Sequence, residues 1–367
     1  MHRIANPFSP VRLRVAPPPD AFPAPAGIGD LCVRLRALGA SPVHERRVLR
    51  LWLQAQPQDS GRRPIETFLP RALCAALPRL ESQLEAIARL RSRHPAADGS
   101  QRLLVELADG QTVESVLLPR GGLCVSTQVG CAVGCVFCAT GRDGLLRQLG
   151  SAEIVAQVAL ARRLRPVRRV VFMGMGEPAH NLDSVAEAIE CLGTLGGVGH
   201  KEIVFSTVGD RRVFERLPRL AVKPALALSL HTTRAALRAE LLPRAPRLLP
   251  AELVGLGADY ARATGHPIQF QWTLIDGVND GDDEVDGIAA LLAGKRAMMN
   301  LIPLNAVDAL GWRRPSWERA VAMARALNRR GVFTRLRRSA GQDVDAGCGQ
   351  LRLRHGALAE QAIAAGG

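Results

Sequence analysis

Lysine is almost missing from this chain: Lys201, Lys223 and Lys295 are the only three. Nearly all of the formal charge of +14, and of the pI near 10.6, therefore comes from arginine. Such a bias can reflect genome composition, so no single arginine is read as chosen for recognition. The net charge stands whatever its origin, and a balance this basic implies a polyanionic partner, most simply nucleic acid. An apolar leader is missing too. Met1 to Pro10 has no hydrophobic core, which predicts no signal peptide. Long hydrophobic runs are also missing. The longest uncharged stretch, Gly121 to Gly141, is broken by glycines, Ser126, Thr127 and Gln128, so it does not read as a membrane span. The eight cysteines do not form a secreted disulfide framework in a chain of 367 residues, and a reducing cytoplasm is the expected location. With 47% hydrophobic residues, the chain can build one large barrel-like domain and a small one.

What is present centres on one loop, Cys131-Ala132-Val133-Gly134-Cys135-Val136-Phe137-Cys138, with the spacing C-x3-C-x2-C. Three thiolates can hold three irons of a 4Fe–4S cubane. Closed clusters use four, so one iron is left open to chelate a substrate or cofactor. The competing readings are a zinc site and three buried thiols. Structural zinc sites pair two C-x2-C knuckles, and a second knuckle is missing here. Gly130 and Gly134 allow the backbone to fold back and bring amides near the sulfurs.

Around this loop the pattern predicts an organised chain. Residues 1–26 are proline-rich and aperiodic and read as a disordered arm. Residues 27–92 read as helical, at Asp30–Leu38, at His44–Gln54 and at Pro70–Ala88, the last interrupted at Pro78. This basic module is a candidate RNA-docking domain. Residues 93–122 read as a β-hairpin extension, with strands Leu103–Glu106 and Thr112–Leu118 about Asp109-Gly110. Residues 123–351 then alternate strand and helix. Strands are expected at Leu123–Ser126, Arg169–Met173, Ile203–Ser206, Ala225–Leu230, Ile268–Ile275 and Met298–Leu304. Helices are expected near Ser151–Leu164 (Ser151 as N-cap), Ser184–Leu195, Ala251–Ala263, Glu284–Leu292 and Trp317–Arg330, with an added strand at Val332–Arg337. Repeated strand–helix units imply parallel strands, here a partial (β/α)6 barrel in the α/β class. Residues 352–367 are a tail. Ligand groups in such folds sit at the C-terminal ends of strands. Gly176 and Glu177 in Gly174-Met175-Gly176-Glu177-Pro178, Ser206, Ser229-Leu230-His231 and Asn305 all fall there. Cys124 precedes the triad by seven residues. Cys348 lies in the small-residue segment Asp345-Ala346-Gly347-Cys348-Gly349-Gln350, where a thiol is accessible and reactive.

The triad, with an aromatic before its last cysteine, resembles the radical SAM enzymes. Cys124-Val-Ser-Thr-Gln-Val-Gly-Cys131, Gly174–Pro178, Ser229–His231, Asp276-Gly-Val-Asn-Asp280, Asn300-Leu-Ile-Pro-Leu-Asn305 and Asp343–Leu351 resemble, more narrowly, the RlmN/Cfr family of radical SAM RNA methyltransferases. The match runs from about Glu114 to Leu351 in the right order. It is specific because generic radical SAM enzymes lack the paired outlying cysteines.

The resemblance implies a radical SAM barrel binding one 4Fe–4S cluster through Cys131, Cys135 and Cys138, with S-adenosylmethionine (SAM) on the open iron. Gly176, Glu177, Ser206, Ser229, Leu230, His231 and Asn305 would contact SAM. It further implies a ping-pong methylation of adenosine. One SAM methylates Cys348, and a radical from a second SAM takes hydrogen from that methyl. The methylene adds to the adenine ring, Glu114 accepts the ring proton, and Cys124 attacks the Cys348 sulfur to release the product. The implied substrate is C2 of adenosine in 23S rRNA, and also tRNA, with Cfr-type C8 methylation and a non-RNA radical SAM substrate as alternatives. A third class, a non-catalytic Fe–S RNA-binding protein, leaves the missing fourth ligand unexplained. A flavodoxin or ferredoxin donor and a monomer are expected. The chain departs from the family in four places: the Glu114-to-Cys124 spacing is shorter, Leu242–Arg247 replaces a Pro-x-Asn-Lys-Lys-like run, Gln342 stands where an acidic or small residue is common, and the segment from Asn305 to Trp312 is shortened.

Overall fold

The computed structural model describes residues 27–61, 64–142, 144–305 and 311–351; the expected arm and tail, and most of the shortened segment after Asn305, lie outside these. Three helices open the described chain: α1 (Ile28–Ala37), α2 (Pro42–Leu53) and α3 (Arg71–Ile87). The expected break at Pro78 does not occur. Leu73, Leu77, Leu80, Leu84 and Ile87 are all buried along one face of α3, and that packing outweighs the hydrogen bond the proline ring removes.

The helical segment ends at Ile87 rather than at residue 92. Strand β1 (Ala88–Pro95) follows at once and pairs antiparallel with β2 (Gln101–Leu107), which pairs with β3 (Thr112–Leu118). In β1 the exposed Arg89, Arg91 and Arg93 alternate with the less exposed Leu90, Ser92 and His94, a period of two that favours a strand over a helix. The extension is thus three strands rather than a hairpin.

The remaining strands are β4 (Gly122–Cys124), β5 (Gln128–Gly130), β6 (Leu145–Gln148), β7 (Arg169–Phe172), β8 (Ile203–Thr207), β9 (Ala225–Ser229), β10 (Ile268–Leu274), β11 (Ala297–Pro303) and β12 (Thr334–Leu336). Between them lie α4 (Ser151–Arg162), α5 (Leu182–Thr194), α6 (Arg211–Arg216), α7 (Ala235–Leu241), α8 (Pro250–Thr264), α9 (Asp282–Leu292) and α10 (Trp317–Arg329). One ten-stranded mixed sheet runs β1-β2-β3-β4-β7-β8-β9-β10-β11-β12, parallel from β4 onward. Six strand–helix units and the added β12 make the partial barrel. Its strands read as near-continuous apolar runs, such as Val170-Val171-Phe172 and Ile203-Val204-Phe205, because both faces are covered. Trp272, Phe172, Phe205 and Phe270 are fully buried, each contributing roughly 1.5–3 kcal/mol relative to exposure.

One core continues from the N-terminal helices into the barrel: Leu31, Val48 and Trp52 belong to the same buried cluster as Val155 and Leu192. Ser151 helps to hold that junction. It is the first residue of α4 rather than its N-cap, because Gly150 caps the helix with its N–H on Glu153 Oε2. The Ser151 hydroxyl accepts the Ile28 N–H at 2.8 Å and donates to Glu187, which also accepts the Gly29 N–H. Among the described residues no helix is long and apolar enough to cross a membrane.

Candidate active site

The cysteine loop is an excursion between β5 and β6, which pair antiparallel and close its base. Gly130 there has φ +83°, and a β-carbon would lie 2.0 Å from the Gly144 carbonyl oxygen, so no side chain fits. Within the loop the Val133 and Gly134 amides donate to the Cys131 sulfur. The Cys138 N–H bonds the Cys135 carbonyl at 3.0 Å. Val133 and Phe137 pack on Val208, Leu242, Ile275 and Leu304. Two of the divergent segments reach this loop: Arg244 donates to the Ala132 carbonyl and Trp312 Nε1 to the Val136 carbonyl, both at 3.1 Å.

Cys131, Cys135 and Cys138 line a cavity of about 160 Å³ together with Gly176, Glu177, Ser206, Ser229, His231 and Cys348. Burial pushes the Cys131 thiol up to about 12, and Cys138 adds to the rise. Burial raises Cys135 as well, with Cys138, Cys131 and Glu177 adding to it. A cationic group reverses that balance by stabilising thiolates. The donor set of three thiols, on one loop and beside one cavity, fits an iron–sulfur cluster. No three His, Cys, Asp or Glu side chains among the described residues converge tightly enough to hold a single ion.

Glu177 follows the turn after β7. Its carboxylate accepts the Ala179 N–H at 3.0 Å, the Val208 N–H at 2.9 Å and a bond from the Thr207 side chain. Burial is the largest influence on it and raises its pKa; the three hydrogen bonds oppose that rise. A carboxylate has about four acceptor sites, so one is left for a ligand in the cavity. Gly174 and Gly176 permit the close turn. A β-carbon would lie 2.7 Å from the Val125 carbonyl oxygen at the first and 2.6 Å from the Gln128 side chain at the second.

His231 follows β9 with φ +62°. Its Nδ1 accepts the Thr273 N–H at 2.9 Å, so the proton of the neutral ring sits on Nε2. The ring meets Phe137 edge-on at 4.9 Å. Burial, and then the Arg238 guanidinium, lower its pKa to about 3. Leu230 is fully buried and does not line the cavity. Asn305 does not line it either: its Nδ2 donates to the Cys348 carbonyl at 2.9 Å and to Ser339 Oγ at 2.8 Å.

Cys348 is exposed at the cavity, although the atoms crowding its thiol raise its pKa, first by desolvation and then through Cys138. Its loop is tied to the cluster loop by Ala139 N–H to the Gly349 carbonyl at 2.7 Å and by Thr140 Oγ1 to the Leu351 carbonyl at 2.5 Å. Cys124 ends β4, buried and outside the cavity lining. Burial raises its thiol most, and Cys348 is close enough to raise it further. Both cysteines are free.

Glu114 lies away from the cavity lining. The β3–β4 register sets Val116 opposite Cys124, so Glu114, two residues earlier, faces the same side of the sheet as Cys124. It is fully buried and accepts from Arg102 Nη1 at 2.5 Å, and Arg102 is itself 5% exposed. Sequence reasoning missed Arg102, Gln271 and Thr273, of which the last two line the cavity. The signal for both was available: polar residues at period two inside an otherwise apolar strand.

Residues 125–289 match the radical SAM superfamily. A protein of Methylibium petroleiphilum named "probable RNA methyltransferase" is 73% identical over 89% of this chain and 93% of its own length. One of the same name from Azoarcus sp. is 71% identical over 89% and 94%. The crystal structure of a radical SAM methyltransferase from Sphaerobacter thermophilus is 35% identical, with a TM-score of 0.76 over 89% of this chain and 97% of that one. With three cysteines on one loop at the mouth of a partial barrel, and relatives this similar along nearly all of both chains, the chain belongs to the radical SAM superfamily and, within it, to the family of these methyltransferases.

Proposed function

We propose that this enzyme methylates a ring carbon of adenosine in RNA, at C2 in 23S rRNA and also in tRNA, carrying the methyl group on Cys348. One observation carries the reading: the Cys348 thiol lines the same cavity as the three cluster cysteines, with Cys124 within electrostatic reach. The relatives' names and the charge of +14 support RNA as substrate. When bound, the cluster would supply the electron that turns SAM into a hydrogen-abstracting radical and would take back the electron left on the adenine ring once the methylene has added to it. The remaining acceptor site of Glu177 suits the amino group of the SAM methionine. The His231 Nε2–H suits an acceptor on the nucleoside end, and Asn305 steadies the Cys348 backbone. Glu114 takes the ring proton; its sharing of a sheet face with Cys124 supports that assignment. Cys124 then attacks the Cys348 sulfur. A sulfur–sulfur bond forms, the sulfur–carbon bond breaks, and its electron pair leaves with the carbon, which is protonated to a methyl group. The helices at 27–87 serve RNA docking, a flavodoxin or ferredoxin supplies electrons, and the enzyme works as a cytoplasmic monomer.

The test is the mass of the Cys348 peptide from protein expressed with its cluster. One added CH2 unit, absent in Cys348→Ala, is expected. An unmodified thiol in protein that still cleaves SAM refutes the scheme. Nucleoside analysis of RNA from the reaction then separates C2 from C8.

A further inference from the structure

The turn between β1 and β2 meets the loop that carries Cys348, and none of the steps above uses that contact. The Gly341 N–H donates to Asp98 Oδ2 at 3.0 Å, and the Ala97 N–H donates to Asp343 Oδ2 at 2.9 Å. Two segments far apart in sequence thus exchange reciprocal bonds, each onto a carboxylate, the stronger class of hydrogen bond. Asp98 is exposed, but its carboxylate is oriented by the turn that carries it. Its Oδ1 accepts the Ser100 N–H at 2.9 Å and the Ser100 hydroxyl at 2.5 Å, and Ser100 is fully buried. The fit on the other side is equally close. Gly341 has φ +65°, and a β-carbon there would lie 2.7 Å from Ala346 Cβ and 2.8 Å from Ser100 Oγ. The Ala346 N–H then closes onto the Gly341 carbonyl at 2.8 Å, forming the turn that leads into Cys348.

The loop is therefore held on both sides of its cysteine. Downstream, Gly349 and Leu351 are fastened to the cluster loop. Upstream, Asp98 and Asp343 fasten Gly341–Ala346 to the three-stranded extension. That extension packs outside the strand–helix units and lines none of the cavity, and this contact gives it a task besides carrying Glu114.

We propose that Asp98 is a positioning residue, a latch through which the antiparallel extension holds the Cys348 loop with its thiol facing Cys124. The purpose of the latch rests on the proposed role of the two cysteines, but its existence does not. Two tethered thiols meet at a rate set by their effective concentration, and freeing one end of a tether lowers it.

The experiment uses the full-length protein, purified without its cluster and reconstituted in the absence of SAM so that Cys348 keeps a free thiol, as wild type, Asp98→Ala, Asp98→Asn and Asp343→Ala. Each is treated with diamide, quenched with iodoacetamide and digested, and the Cys124–Cys348 cross-link is quantified by mass spectrometry. Alkylation of Cys348 and of the buried Cys191 is timed in parallel without oxidant. Asp98→Ala is expected to slow formation of the cross-link about ten-fold and to speed Cys348 alkylation several-fold, with Cys191 unchanged. Asp343→Ala should act in the same direction. Asp98→Asn, which keeps one acceptor oxygen, should fall between Asp98→Ala and wild type. Unchanged Cys348 alkylation in Asp98→Ala overturns the latch. So does a parallel rise at Cys191, which marks general unfolding. If wild type forms no cross-link while Asp98→Ala still speeds Cys348 alkylation, the latch stands and the methyl-carrier reading falls.

Discussion

Acidification will weaken this fold through one imidazole. His231 is 5% exposed, its Nδ1 is engaged by the Thr273 amide, and its pKa is lowered from 6.5 to about 3. In the unfolded chain the same ring takes up a proton near its ordinary value. Over that window the unfolded state binds more protons than the folded one, so stability declines as the pH falls below about 6.5 and goes on declining to about 3. The size follows from the two pKa values: at about pH 5.5 the unfolded chain gains about RT ln 11, or ~1.4 kcal/mol, against less than ~0.1 kcal/mol at about pH 7.5. His231→Asn isolates this contribution. Asparagine tolerates the left-handed backbone at φ +62°, and its side-chain oxygen can accept the Thr273 amide. Urea unfolding of both proteins at both pH values is the assay. Wild type should lose ~1.4 kcal/mol more than the variant between about pH 7.5 and about pH 5.5. Equal losses would refute the assignment of a buried neutral ring.

Two further outcomes are expected. Glu114→Ala should cost about 3–5 kcal/mol of stability as well as activity, because it strands the buried Arg102, whose Nε already has no hydrogen-bond partner. The double variant Arg102→Met/Glu114→Leu should recover most of that stability and remain inactive, and recovered methylation would remove Glu114 from the chemistry. Gly176→Ala should weaken SAM binding at least about ten-fold, or ~1.4 kcal/mol. At φ +102° its β-carbon displaces Gln128, whose Oε1 accepts the Glu177 N–H at 2.7 Å. Equilibrium dialysis with labelled SAM measures the change, and an unaltered affinity would contradict the role given to this turn.

Much of this was legible in the sequence where one short stretch carries both the cause and the result. The apolar runs at Arg169–Phe172 and Ile203–Thr207 are strands because buried parallel strands have no other pattern, and the polar residues that follow them fall at the cavity for the same reason. The C-x3-C-x2-C spacing puts three thiols on one loop, whatever distant partners then shape it. Where an outcome depends on partners distant in sequence, local pattern is silent or misleads. Pro78 reads as a break, and only the apolar stripe of α3 packed against its neighbours overrides it. Ser151 reads as a cap, whereas its hydroxyl is claimed by Ile28 and Glu187. Arg89–Arg93 lacks the apolar face that marks a half-buried strand, and its pairing with β2 decides it. No spacing rule could join Asp98 to Gly341.

The hydroxyl of Ser151 has one more consequence. With Glu187 it grips the first turn of α1, while at the far end of α4 the Arg162 guanidinium donates to the Leu53 carbonyl at the end of α2. A single barrel helix is thus bolted at both ends to the helices before the barrel. Those helices are not a tethered hand that searches for substrate. They stand fixed relative to the cavity rim, so in the docking role proposed for them they would select a substrate by its span.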